Sequence, residues 1–204
     1  MGKEIIKGGF KVYKIVLKAT RMAQDIVEKV LKEDDFAVDA TLGNGNDTLF
    51  LSSILNKGKV YSFDIQSYAV DKFKKVLDEK NIRNVILIND GHENILKYIN
   101  EPIKVVMFNL GYLPGGDQSI ITKPDTTLKA LEDSLKILKP GGIVTIVVYT
   151  GHVGGKEEEV ALKNYIKSLD PKVFSVMQIK FVNRDEKAPY LIVIEKNDSC
   201  NVNK

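Results

Sequence analysis

Ala37-Val38-Asp39-Ala40-Thr41-Leu42-Gly43-Asn44-Gly45-Asn46-Asp47-Thr48-Leu49-Phe50 decides the fold of this chain. A short apolar run ends in an acid, turns through two glycines and enters a helical pattern. Strand, tight loop and helix start in that order make a cradle for a nucleotide-like cofactor, because the free N–H groups of a helix N-terminus face the ligand. Gly43 and Gly45 are expected to let the backbone approach the ligand where a Cβ would clash. Thr48 stands where a dinucleotide fingerprint has its third glycine, which disfavours a pyrophosphate ligand. Asp39, an acid at the strand end, suits a cation instead. S-adenosylmethionine carries a sulfonium and an ammonium and no phosphate.

Outward from this motif the chain alternates strand and helix patterns, which predicts a mostly parallel sheet covered on both faces. A helix is expected over 11–32, with Ile15, Ala19, Met22, Ile26 and Val30 at steps of three and four. Strands follow over 36–40, 59–64, 84–89, 104–110 and 143–149, interleaved with helices over 46–57, 67–80, 92–99, 124–138 and 156–169. Ser67 is expected to cap its helix, and Lys139-Pro140-Gly141-Gly142 to stop the one before it. Glu157, Glu158 and Glu159 favour the start of the last helix through its dipole. Two closing strands, 172–182 and 189–196, joined by the short polar stretch 183–188, should pair antiparallel. The fold class is therefore α/β, a Rossmann-like class I S-adenosylmethionine-dependent methyltransferase sheet, seven-stranded and mostly parallel with an antiparallel C-terminal strand. One domain is expected over 15–196, with an extension over 1–14 and a polar tail over 197–204.

Bulk properties narrow the functional classes. The chain has 204 residues, enough for one α/β core, and a net charge of +3, which permits nucleic-acid binding without requiring it. Its one cysteine, Cys200, allows no internal disulfide, and no cysteine–histidine spacing suits zinc. No apolar run reaches the ~18 residues of a membrane span, and the first ten residues lack the apolar stretch of a signal peptide. A cytoplasmic location without membrane attachment is the expectation. Lys11, Lys14, Lys18 and Arg21 recur at helical steps and predict either a solvated helix face or a stripe for RNA phosphates.

In a doubly wound sheet the ligand lies at the carboxyl ends of the strands. Polar or glycine residues stand at all five ends: 39–46, 64–67, 89–92, 109–116 and 149–155. Asp64, nineteen residues beyond Gly45, is placed to accept both ribose hydroxyls of an adenosine, and Gln66 to reach the same sugar or the base. Asp90, Gly91 and His92 occupy the adenine edge. Asn109-Leu110-Gly111-Tyr112-Leu113-Pro114-Gly115-Gly116-Asp117 is similar to the Asn-Pro-Pro-Tyr element of amino methyltransferases, with Leu-Gly for Pro-Pro. In that element the asparagine and nearby carbonyls orient a target amine while the aromatic ring stacks on the base. Gly151-His152-Val153-Gly154-Gly155 lies beside it, and His152 is a candidate to face the acceptor. These residues alone leave a nicotinamide-dependent oxidoreductase and a non-catalytic RNA-binding module as rival readings.

Four segments together, 39–48, 63–66, 108–117 and 149–152, resemble the YtqB-type rRNA methylase family across roughly residues 15–196. The run from Asn109 to Asp117 is the most specific of them. The resemblance implies MnmM-like activity. In that reaction S-adenosylmethionine methylates the 5-aminomethyl group of 5-aminomethyl-2-thiouridine at wobble position 34, in the anticodon region of tRNA. Ribosomal RNA is the alternative substrate. By motif, Asn44, Asn46, Asp64, Gln66, Gly91 and His92 would contact the cofactor, while Asn109, Tyr112 and His152 would face the nucleoside. The resemblance also implies a homodimer. Asn46 stands where many members carry histidine, and an amide cannot move a proton near neutrality.

Overall fold

The computed structural model describes residues 14–111, 121–151 and 153–198. Seven strands form one sheet in the order β3-β2-β1-β4-β5-β7-β6. They are β1 (Phe36–Asp39), β2 (Lys59–Phe63), β3 (Val85–Ile88), β4 (Ile103–Asn109), β5 (Leu138–Val148), β6 (Phe174–Ile179) and β7 (Tyr190–Lys196). The first five are mutually parallel, and β7 runs antiparallel to both β5 and β6. The helices are α1 (Ala19–Val27), α2 (Asn46–Ile54), α3 (Ser67–Glu79), α4 (Ile95–Tyr98), α5 (Pro124–Ile137) and α6 (Gly155–Lys167).

Side chains alternate across a strand, so each strand feeds two cores. Val38, Val106, Phe108, Val144, Ile146 and Ile192 face one apolar layer with Ala130, Leu131 and Leu135 of α5 and Leu162 of α6. Ala37, Val105, Met107, Ile143, Val147 and Val193 face the other, with Ala19, Ala23 and Val27 of α1 and Leu51 of α2. Near-continuous apolar strands are what a parallel sheet buried on both faces requires. Strand β6 departs from this. As the outer strand it leaves Val176 and Met177 exposed.

Three local expectations are corrected. The first helix spans nine residues rather than the whole of 11–32, and residues 11–13 lie outside the described residues. Ala19, Ala23 and Val27 bury against β5 and β7, but Ile15, one turn earlier, is 86% exposed. Helical periodicity therefore runs on past the surface that could reward it. Of the basic stripe, Lys11 lies outside the described residues, Lys14 precedes the helix, Lys18 is its extended N-cap, and Arg21 pairs with Asp25. Ser67 does not cap α3. Gln66 holds the N-cap position, and no side chain caps the helix.

The stop at residues 139–142 works differently from a helix-ending turn. α5 ends at Ile137, and Leu138 already pairs with Ile103 as the first residue of β5. The register then jumps to Val105↔Ile143, so the Pro-Gly-Gly segment bulges out of the strand. Gly141 takes φ +64°, and its carbonyl accepts from Lys104 Nζ at 2.7 Å.

Gly45 has no room for a side chain. It takes φ +75°, and a Cβ there would lie 1.9 Å from Phe73 Cε2, inside the buried cluster of Leu42, Phe73 and Leu77. The missing Cβ lets α3 close against the start of α2. Gly45→Ala is expected to lower stability by roughly 1–3 kcal/mol, read as a drop in the urea midpoint. Adding Phe73→Ala should recover the steric part, so that the double variant loses less than the sum of the singles.

Candidate active site

A cavity of about 800 Å³ opens over the carboxyl ends of all five parallel strands. That volume lies within the range of small-molecule sites. Its walls include residues 40–44 after β1, 63–66 after β2, 90–93 after β3, 109–111 after β4, and Tyr149 and Gly151 after β5. The five polar strand ends expected from sequence thus converge on one place.

Asp64 organises the side of this cavity that follows β2. Its Oδ2 accepts from Gly43 N at 2.9 Å and its Oδ1 from Gln66 N at 2.9 Å. The Asn89 amide donates to the Asp64 carbonyl at 2.9 Å, locking the end of β2 to the end of β3. Each carboxylate oxygen accepts about two hydrogen bonds, so each retains a lone pair for a further donor. Asn44, Asn46 and Gln66 also line the cavity.

Asp39 is not among the cavity-lining residues. It is 1% exposed; its Oδ1 accepts from Thr41 N at 3.1 Å and its Oδ2 from Thr48 Oγ1 at 2.6 Å. The acid that does line the cavity is Asp47, held by Gln24 Nε2 at 2.9 Å. Burial raises the pKa of both, and the nearby Asp47 charge adds to the effect on Asp39, which is pushed up to about 7.

The adenine-edge residues divide. Asp90 lines the cavity, but its Oδ1 accepts from Gly91 N at 2.8 Å and Asn94 Nδ2 at 2.9 Å, and its Oδ2 from Tyr98 at 2.8 Å. Burial alone would raise its pKa, yet the bonds from Tyr98, Gly91 and Asn94 outweigh it and hold the carboxyl low. Gly91 lines the cavity, and a Cβ there would lie 2.2 Å from the Glu93 carboxylate.

His92 is drawn under the sheet ends. Its Nδ1 lies 2.9 Å from the Ala40 carbonyl, and its ring meets Phe108 edge-on at 5.7 Å. A carbonyl only accepts, so Nδ1 carries the proton and Nε2 a lone pair. Burial outweighs the Ala40 bond and the charges of Glu93, Glu158 and Asp64, so the imidazole titrates below its usual range and is neutral at pH 7.

Asn109 donates its backbone N–H to Thr41 Oγ1 at 2.8 Å, which ties β4 to the loop after β1. Among the described residues, three buried side-chain polar atoms lack a partner: His92 Nε2, Asn109 Oδ1 and Thr145 Oγ1. His92 and Asn109 both line the cavity. Orphaned buried acceptors are uncommon in folded proteins and call for a ligand that brings N–H or O–H donors. Tyr112 and His152, and the segment from Leu113 to Asp117, lie outside the described residues.

The loop after β4 is fastened at its base. Thr122 N donates to the Gly111 carbonyl at 3.0 Å, and Gly111 N donates to Thr122 Oγ1 at 3.1 Å. Glu158 sits beneath, 1% exposed, accepting from Thr122 Oγ1 at 2.9 Å and Thr127 Oγ1 at 2.6 Å. Its place is therefore a buried latch, and the helix-dipole role is secondary. Sequence reasoning also missed Thr20, Thr122, Lys123, Thr126, Lys187 and Pro189, which line the cavity from α1, from the segment leading into α5 and from the β6–β7 connection. Only Asp47 lay inside the motif and could have been found there. Among the described residues no helix is long and apolar enough to cross a membrane, and no acid, histidine and cysteine group could hold a metal.

Residues 60–195 match the family model described as "Putative rRNA methylase". A protein of Arabidopsis thaliana called tRNA (mnm(5)s(2)U34)-methyltransferase, chloroplastic, is 39% identical over 194 residues, covering 89% of this chain and 70% of that protein. The crystal structure of a "putative rRNA-methylase" from Clostridium thermocellum superposes with a TM-score of 0.86 at 44% identity, covering 89% of this chain and 98% of that one. A "putative methyltransferase" from Streptococcus mutans, solved in complex with SAH, gives 0.83 at 43% identity over 89% and 99% of the two chains.

The raised pKa of Asp39 carries a sign. Between its ordinary value of 3.8 and about 7 the folded chain holds a proton that the unfolded chain has released, so stability falls as pH rises through that window. The penalty is complete above pH ~7 and is on the order of a few kcal/mol. Asp39→Asn keeps the Thr41 acceptor, carries no charge and turns the Thr48 bond round, with the amide donating to Thr48 Oγ1. The cost of that exchange does not vary with pH, so the stability of Asp39→Asn relative to the unsubstituted protein is expected to rise between pH 4 and pH 8, measured by denaturant midpoints at the two pH values.

Proposed function

We propose that this chain, which belongs to the "Putative rRNA methylase" family, is an S-adenosylmethionine-dependent tRNA methyltransferase. Its reaction is N-methylation of the 5-aminomethyl group of 5-aminomethyl-2-thiouridine at wobble position 34. The observation that carries the tRNA substrate is the 39% identity to the Arabidopsis enzyme across 89% of this chain. The cofactor is supported by the strand-end cavity and by the SAH complex of the 43%-identical Streptococcus protein. The antiparallel β7 beside β5, together with Thr48 in place of a third glycine, sets the chain apart from the nicotinamide-dependent oxidoreductase reading.

S-adenosylmethionine, when bound, supplies a methyl group on a positively charged sulfur. Asp64 would take the ribose hydroxyls with its remaining lone pairs, and the Gly43 and Gln66 amides already fix its direction. Asp47 offers negative charge to a cationic ligand from the neighbouring wall. The target amine must arrive as a free base, since an ammonium has no lone pair to give. Asn109 Oδ1, unpartnered and buried, accepts one of its N–H groups and so aims the lone pair. Tyr112 and His152 belong to the same reading, as a stacking ring and a group beside the acceptor. Positioning of this kind supplies most of the rate in an in-line displacement. A cytoplasmic homodimer completes the reading, and analytical ultracentrifugation tests the dimer.

Asp64→Ala is expected to weaken S-adenosylmethionine binding roughly ten- to a hundredfold by calorimetry, while unchanged affinity would move the ribose elsewhere. Wobble nucleosides from cells lacking the protein should accumulate 5-aminomethyl-2-thiouridine by mass spectrometry. Normal wobble nucleosides beside a missing ribosomal RNA methyl group would transfer the activity to the ribosome.

A further inference from the structure

The charges around the cavity are divided by side. Asp47, Asp64, Asp90 and Glu93 come from the loops after β1, β2 and β3. Lys123, at the N-cap of α5, and Lys187, in the β6–β7 connection, come from the opposite side. Glu158 also lies on the lysine side, but it is buried and accepts from the hydroxyls of Thr122 and Thr127. Neither lysine has a salt bridge among the described residues, and both are exposed.

The segments bearing the two lysines adjoin one wall. A Cβ placed on Gly151 would lie 3.9 Å from Lys187 Cβ, and one on Gly154 would lie 3.6 Å from Ile121 Cδ1, two residues before Lys123. The loop after β5 thus touches both segments. Thr150 Oγ1 reaches the Glu186 carbonyl at 3.5 Å, and Asp185 Oδ1 accepts from Lys187 N at 2.7 Å, which set the course of the backbone at Lys187. Next to it Arg184 lies over the Phe181 ring at 3.6 Å, and Val182 is fully exposed. Arg184 and Lys187 are offset in charge by Asp185 and Glu186, so this connection is not a general basic patch. What distinguishes the lysines is their place at the cavity.

We propose that Lys123 and Lys187 form a two-point clamp for the ribose-phosphate backbone of a single-stranded RNA loop, flanking the nucleotide that enters the cavity. This rests on the tRNA reading above. Acidic walls suit a cationic cofactor and repel phosphate, so a polyanion can approach only from the lysine side. Phosphate contacts fix register without reading sequence, which is what a site selecting one modified base needs from its rim. The half-buried Phe181 ring and the exposed Arg184 guanidinium over it, near Lys187, add a stacking surface of the kind used for unpaired bases.

Lys123→Gln, Lys187→Gln and the double variant test the clamp, with Lys75→Gln, on α3 and outside the cavity, as control. Binding of tRNA purified from cells lacking the protein, and of a short single-stranded RNA, is measured across a salt series. Each lysine is expected to contribute about fivefold in affinity at ~0.1 M salt, and the double variant to lower the log–log salt slope by about 1.4. S-adenosylmethionine affinity and the melting midpoint should stay unchanged. Wild-type protein that binds tRNA while the double variant binds equally well, or falls no further than Lys75→Gln, overturns the clamp alone. So does a loss of cofactor affinity in the double variant, which would place the lysines in the cofactor's site. Wild-type protein that binds no tRNA overturns both this inference and the tRNA reading.

Discussion

A single buried hydroxyl holds the first turn of the sheet in shape. Thr48 Oγ1 lies 2.6 Å from Asp39 Oδ2 and 2.8 Å from Ser62 Oγ, with Thr48 and Ser62 both fully buried. That short chain of bonds joins the end of β1, the first turn of α2 and the body of β2. Thr41 extends it, giving its N–H to Asp39 Oδ1 and taking the N–H of Asn109 on its own hydroxyl. Four segments that frame the cavity are therefore fixed to one another by polar groups that are buried at Asp39, Thr48 and Ser62 and half-buried at Thr41 and Asn109. In a low-dielectric interior such a network is rigid when satisfied and costly when broken.

The same network explains the odd member of the glycine motif. A dinucleotide fold places its third glycine where helix and strand must approach closely. Here that position is Thr48, and its side chain is the link between strand and helix. The close approach has moved to Gly45, which yields to Phe73 of α3. Gly43 turns at φ +50° and directs its N–H to Asp64. One motif thus divides its labour between packing at Gly45 and cavity lining at Gly43, in a way that residue types alone do not disclose. Asp39 and Gly45 read as ligand groups in the sequence because their position in the motif is right. Burial turns both of them inward.

What was legible follows from range. Strand limits lie within a few residues of expectation for all but β5 and the outer β6, because parallel strands buried on both faces are written as continuous apolar runs. The five strand-end clusters were legible because topology alone carries them to one edge. The first helix was overextended because Ile15 and Val16 continue its periodicity, and only the tertiary structure shows that both are more than half exposed. His92 reads locally as an adenine contact. Its bond to Ala40 spans fifty-two positions and leaves no local trace. Lys187 comes from a connection after the sixth strand, and nothing in residues 183–188 distinguishes a cavity residue from a solvated turn.

The acidic side of the cavity bears on how a cationic ligand is held. The folded chain buries Asp39 and Asp47, burial raises the cost of ionising both, and the Asp47 charge adds to that cost at Asp39. A cationic cofactor lowers that cost, so its binding and the ionisation of this pair favour one another by linkage. The acidic wall therefore suits a positively charged methyl donor through fixed charges, without requiring any moving part.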